Sequence, residues 1–147
     1  MQKDFELLQH TADIKIRVYG ASLEQIFTHA LIGMFQAIGP HAFGCTVVAD
    51  RLVCDALPFS HTISVDSPDR EALLVDFLSD ALYLSDIHDQ AYLDAKIHVL
   101  TDTHLQVTIY GVAVQGFEVV EIKAVTYHDL YIKQVDDGWQ AEIVFDI

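Results

Sequence analysis

Residues Ile14–Lys15–Ile16–Arg17–Val18–Tyr19 alternate strictly between apolar and polar side chains. A period of two puts Ile14, Ile16 and Val18 on one face, so the stretch predicts a half-buried strand that ends at Gly20. A shorter strand is expected just before it, at Phe5–Leu8. After Gly20 the period lengthens. Ser22 stands three residues before Gln25, the spacing of a capping box. Apolar residues then recur from Leu23 through Ile26, Phe27, Ala30, Leu31, Met34 and Phe35 to Ile38. That spacing predicts an amphipathic helix, stopped by Gly39–Pro40.

Thr46–Ala56 and Thr62–Val65 predict two strands with a turn at Pro58 between them. Ser67–Pro68–Asp69 predicts the start of a second helix. Ser67 would be its N-cap and Pro68 its first residue, with Asp69 and Glu71 near the positive end of the dipole. The stripe Leu73, Leu74, Phe77, Leu78, Ala81 and Leu82 carries that helix to Ser85. From Tyr92 onward every run reads as strand: Ala95–Leu100, Leu105–Tyr110, Val119–Tyr127, Tyr131–Val135 and Trp139–Phe145. Asp136–Asp137–Gly138 marks a tight hairpin between the last two. Helices early and strands late predict an α+β fold. The expectation is a single domain over residues 1–147, a two-layer sandwich with a largely antiparallel sheet and two main helices packed on one face. No Pro-, Gly- or Ser-rich linker interrupts it.

Charge narrows the choice of partners. The 147 residues hold 22 Asp+Glu against 8 Lys+Arg, a net charge of −14. Nucleic-acid binding needs clustered cations, so direct binding to RNA or DNA is not expected, nor is binding to an anionic membrane. Cations and basic protein surfaces are favoured. A mean hydropathy of +0.28 excludes a disordered acidic tail. The start of the chain has no apolar signal segment, and no run is long enough to span a bilayer, so a cytoplasmic protein is expected. Cys45 and Cys54 lie nine apart, not in a C-x-x-C spacing, and are expected as buried thiols rather than a disulfide or a zinc pair.

Three segments could carry chemistry. His10–Thr11–Ala12–Asp13 precedes the first clear strand. Asp13 there is either a turn residue bonding backbone amides or a carboxylate ligand at a sheet edge. At the other end of the sequence, alternation puts Ala141, Ile143 and Phe145 on one face and Glu142 and Asp146 on the other. If the two strands are antiparallel neighbours, Asp13, Asp146 and the carboxylate of Ile147 converge. Carboxylates that share a site repel one another unless one is protonated or a cation enters. An all-oxygen set suits Ca²⁺, Mg²⁺ or Mn²⁺ rather than zinc. The third segment is Glu121–Ile122–Lys123–Ala124–Val125–Thr126–Tyr127–His128. Lys123 there is either an ordinary solvated lysine or a group that tunes nearby carboxylates or reaches a phosphate. Asp76, Asp80 and Tyr83 read as a solvated face of the second helix. No phosphate loop, nucleophile elbow or zinc-binding histidine pair is present.

Taken together, His10–Thr11–Ala12–Asp13–Ile14, Leu73–Leu74–Val75–Asp76–Phe77–Leu78, Glu121–Ile122–Lys123–Ala124 and Phe145–Asp146–Ile147 resemble the archease family nearly end to end. The resemblance implies a compact α+β sandwich that is not an enzyme. Its role would be that of a protein cofactor of the RtcB-type tRNA-splicing RNA ligase, helping that ligase through metal- and GTP-dependent guanylylation. It also implies a metal site at Asp13, Asp146 and Ile147, with calcium first and magnesium or manganese as alternatives. Lys123 and His10 would serve activation of the partner. A chaperone-like adaptor that needs no metal is the alternative function, and a free-standing metal-dependent hydrolase is a third. A monomer or a weak homo-oligomer is expected. The chain departs from the family at Gln9, where many relatives carry Glu, and in the apolar stretch Gly111–Phe117.

Overall fold

The computed structural model describes residues 3–10, 13–119 and 121–147, with the side chains at positions 9 and 10 excepted. Its elements run β1 (Phe5–His10), β2 (Asp13–Gly20), α1 (Leu23–Ala37), β3 (Pro40–His41), β4 (Cys45–Val48), β5 (Arg51–Cys54), β6 (Phe59–Asp66), α2 (Arg70–His88), β7 (Gln90–Leu100), β8 (His104–Ala113), β9 (Gly116–Phe117), β10 (Ala124–Val135) and β11 (Gly138–Asp146). Every strand pairing described is antiparallel. The fold is α+β, mostly antiparallel sheet with two helices, as expected. The strands divide mainly between a four-stranded sheet, β1-β2-β11-β10, and a three-stranded sheet, β6-β8-β7. Each helix touches both. α1 packs on β2 and β7, and α2 on β10, β6 and β7.

The period-two reading of β2 holds residue by residue: Ile14, Ile16 and Val18 are fully buried. They face Ile26, Phe27, Ala30, Leu31, Met34 and Phe35 of α1, also fully buried. Phe27 meets Phe77 of α2 with ring centroids 6.2 Å apart, and Phe35 meets Tyr92 of β7 edge-on at 5.4 Å. Side chains of this size dominate core energetics, at about 1.5–3 kcal/mol each for full burial. The same core continues through Ala141, Ile143 and Phe145 of β11, so the last strand is docked up to its final turn.

The capping box expected at the start of α1 is formed. The Ser22 hydroxyl accepts from the Gln25 amide at 3.2 Å, while the Gln25 side chain reaches back to the Ala21 amide at 2.8 Å. Five expectations need correction. The N-cap of α2 is Asp69, whose carboxylate accepts from the Ala72 amide at 2.8 Å. Ser67 instead donates to Asp76 Oδ2 at 2.6 Å, a tertiary bond that draws it away from the helix end. The same helix runs past Ser85 to His88 and closes on Asp89 in the left-handed conformation (φ 53°), a role usually taken by Gly or Asn. Thr46–Ala56 is not one strand but the hairpin β4–β5. Its turn places Ala49 (φ 51°) and Asp50 (φ 64°) in the region that favours glycine, so no Asn-Gly signal announced it. The same hairpin sets Cys45 directly opposite Cys54, Cα atoms 4.2 Å apart, and the two form a disulfide rather than remaining thiols. Finally, the run Val119–Tyr127 joins a sheet only at Ala124, because residues 118 and 119 hydrogen-bond to the end of α1. No described helix is long and apolar enough to cross a membrane.

Candidate functional site

β2 begins at Asp13, and β11 ends at Asp146. The two strands are antiparallel neighbours, and their register pairs Asp13 with Asp146 directly. Ile14 and Phe145, the next pair inward, are fully buried on the helix side, so the two carboxylates emerge together on the opposite face. Directly opposed residues have Cβ atoms roughly 4.5–5.5 Å apart, and like charges so placed destabilise the sheet. Among the described residues neither carboxylate forms an ion pair. Lys15, the next cation along that face, is engaged with Glu142 at 3.4 Å and Asp129 at 3.7 Å.

A polar cluster continues along the same face. Glu142 is 8% exposed although it lies on the face away from the helices. It accepts from Arg17 Nε at 2.8 Å and from the Tyr131 hydroxyl at 2.7 Å. Gln140 in turn donates to that hydroxyl at 2.7 Å. Burial by itself would raise the Glu142 carboxyl, but hydrogen bonds from Tyr131, Arg17 and Lys15 outweigh it and hold the group below its ordinary range. Sequence periodicity assigned Glu142 to an outward polar face and missed its burial. An irregularity in β10, where Thr126 pairs Val144 but Tyr131 already pairs Glu142, bulges residues 127–130 out of the sheet and brings Asp129 to Lys15. No sequence signal marks that bulge.

The third segment meets the first two through the backbone. The Lys123 amide donates to the Asp146 carbonyl at 2.7 Å, and Ala124 pairs Asp146 in the register of β10 and β11. Lys123 is exposed, and Ile122 packs against the core. Asp13, Asp146, Ile147 and Lys123 are thus brought to one end of the four-stranded sheet. His10 pairs Ile14 through its backbone; its side chain, like Thr11 and Ala12, lies outside the described residues. Asp76 and Asp80 sit elsewhere, on α2. Asp80 is shifted upward, first by burial and then by the neighbouring charge of Asp76.

Residues 5–147 match the Archease protein family (MTH1598/TM1083). The chain belongs to the archease family. It is 34% identical to the protein archease of Methanosarcina barkeri over 99% of this chain and 97% of the relative. It is 32% identical to that of Pyrococcus furiosus over 99% of each. The archease fold is also found in the solution structure of Methanobacterium thermoautotrophicum protein 1598, which is 27% identical and covers 99% of this chain and all of its own at a TM-score of 0.67. The Thermotoga maritima crystal structure described as "an archease, possible chaperone" shares the fold at 22% identity, covering 100% of this chain and 98% of its own, with a TM-score of 0.59.

The donor chemistry of the Asp13–Asp146 pair fits a hard divalent cation. The two carboxylates, which have no counter-ion among the described residues, point the same way, and oxygen is the only donor they offer. Among the described residues no three His, Cys, Asp or Glu side chains gather as a metal-holding group. The set therefore suits an ion that keeps several waters, as Mg²⁺ commonly does with one or two carboxylates.

Proposed function

We propose that this archease-family chain is a non-catalytic protein cofactor of an RtcB-type RNA ligase. It would promote the ligase's GTP-dependent guanylylation through a divalent cation held at Asp13, Asp146 and Ile147. The single observation that carries this reading is the direct register of Asp13 with Asp146 on one face of the sheet. A bound divalent ion would supply charge neutralisation for the two carboxylates and a Lewis-acidic centre at the protein's edge.

The chain's own residues do the rest. Phe145 and Ile14, both fully buried, fix the strand ends that present the carboxylates. Lys123 is tied by its backbone to Asp146, and its side chain is exposed. Such a group can pair with a phosphate or carboxylate that the partner brings. A net charge of −14 favours encounter with a basic cleft and raises the association rate.

Single-turnover guanylylation of an RtcB-type ligase tests the reading, with the parent chain and with Asp13→Ala. The parent is expected to accelerate the step and the variant to lose most of that gain. Equal rates would rule out the metal role. A second reading is a chaperone-like adaptor that stabilises an RNA-processing or RNA-modifying enzyme without metal; the Thermotoga relative is itself described as a possible chaperone. In that case Asp146→Asn leaves activity intact, and the ligase loses solubility or stability when the chain is withheld.

A further inference from the structure

A second feature of the molecule has the form of a binding site. A cleft of about 560 Å³ opens between the last turns of α2 and the segment that runs from the end of β8 to the start of β10. This falls within the range of ligand-sized cavities, roughly 300–1,000 Å³. The less exposed part of its lining, its floor, includes the apolar Leu82, Val114, Phe117, Ile122 and Val125 beside the buried Ser85. Its rim carries Tyr83, Asp86, Asp89, Glu121 and Lys123.

The walls are built before any partner arrives. The Val114 amide bonds the Asp89 carbonyl at 2.9 Å, the Gln115 amide bonds His41 at 2.8 Å, and the Glu118 amide bonds Gly39 at 2.9 Å. These bonds tie one wall to the ends of both helices, so a partner would not have to order it.

Three acids, Asp86, Asp89 and Glu121, stand together on this rim. Some acids of the chain are paired with its own cations, among them Asp4 with Arg51, Glu6 with Lys3 and Arg17, Asp102 with Arg70, and Glu142 with Arg17 and Lys15. Among the described residues the Asp86, Asp89 and Glu121 side chains have no such partner. Tyr83 is 66% exposed and offers a ring face to a cation. An apolar floor inside an unneutralised acidic rim complements a segment with apolar side chains flanked by lysine or arginine.

We propose that this cleft docks a basic, apolar-anchored peptide segment of the partner protein, with apolar side chains on the Leu82–Val114–Ile122 floor and cations on Asp86, Asp89 and Glu121. The inference rests on the reading above in supposing a protein partner, but not on the metal. At the cleft's edge Lys123 joins backbone to backbone with Asp146, so a segment seated here would bring its parent protein against the carboxylate pair.

The test is a fluorescence-anisotropy titration of the whole chain with a labelled peptide of alternating lysine and leucine, run in EDTA so that the metal site plays no part. Amide chemical shifts in the NMR spectrum map the contact. Binding is expected with shifts clustered at residues 79–89 and 114–125. The affinity should fall about tenfold in the triple variant Asp86→Asn, Asp89→Asn, Glu121→Gln, a loss of about 1.4 kcal/mol. Asn tolerates the left-handed backbone at position 89, so the variant keeps the fold. A lysine–serine peptide should bind more weakly, for want of the floor. The proposal is overturned if the shifts fall elsewhere, if the triple variant binds like the parent, or if the lysine–serine peptide binds equally well. Failure of the metal reading appears separately, as unchanged guanylylation with Asp13→Ala.

Discussion

The backbone amide of Lys123 donates to the carbonyl oxygen of Asp146 at 2.7 Å, joining the segment before β10 to the end of β11. The bond belongs to the main chain, whereas the Lys123 side chain is exposed. Lys123→Ala should therefore change stability by no more than about 0.5 kcal/mol. Lys123→Pro removes the donor and should cost about 1 kcal/mol or more. Urea denaturation of both variants checks this, and equal losses would contradict it.

Phe145 is fully buried one residue before Asp146. Phe145→Ala should cost about 3–5 kcal/mol, the range for a phenyl ring lost from a core. The same change should loosen the strand end that presents Asp146. Hydrogen exchange at residues 143–147 should accelerate more than at β7, whereas uniform acceleration would show that the end is not separately anchored.

Glu142 has its carboxyl held low by Tyr131, Arg17 and Lys15 against the opposing effect of burial. A depressed folded-state value means that its contribution is fully present above the unfolded glutamate value, about 4.3. The contribution is lost as pH falls through the still lower folded value. Glu142→Gln should destabilise the protein by about 1–2 kcal/mol at pH 7. The gap between parent and variant should narrow below about pH 4. A gap that stays constant with pH would remove the charge from the explanation.

Asp80 behaves in the opposite sense. Partial desolvation on α2 and the charge of Asp76 raise its carboxyl although the residue is exposed, so the folded state binds the proton somewhat more tightly than the unfolded chain does. Ionisation therefore costs stability as pH rises through the folded value. Asp80→Asn should raise Tm at pH 7, and the gain should disappear in acid, where the parent is protonated. Thermal melts at pH 7 and about pH 3 compare the two.

Ala49 sits at φ 51° in the β4–β5 turn. A left-handed alanine costs roughly 1–2 kcal/mol, and glycine recovers that less its own entropy cost of about 0.4–1 kcal/mol. Ala49→Gly should leave the protein slightly more stable, by about 0.5 kcal/mol. A clear loss in chemical denaturation would mean that the turn adopts another conformation in solution.

Much of this molecule was legible from periodicity. The buried positions Ile14, Ile16 and Val18, the inner face of α1, the stripe of α2 and the alternation of β11 all follow from local spacing, because each element repeats its environment along its own length. The convergence of Asp13 with Asp146 was also accessible, since it needs only two strand ends and an antiparallel neighbour relation. What escaped depends on contacts across turns and between elements rather than on the period of any one element. Ser67 left its helix for Asp76, Glu142 went under cover with Arg17 and Tyr131, and Cys45 met Cys54 across a turn that lacks the usual glycine. The cleft beside Lys123 exists because residues 114–119 are tied to the ends of two helices. By itself the sequence determined which faces are apolar and how acidic the chain is. Only the tertiary structure decided which acids are neutralised and which are left facing a cleft, because ion pairing depends on distance in space and not on separation along the chain.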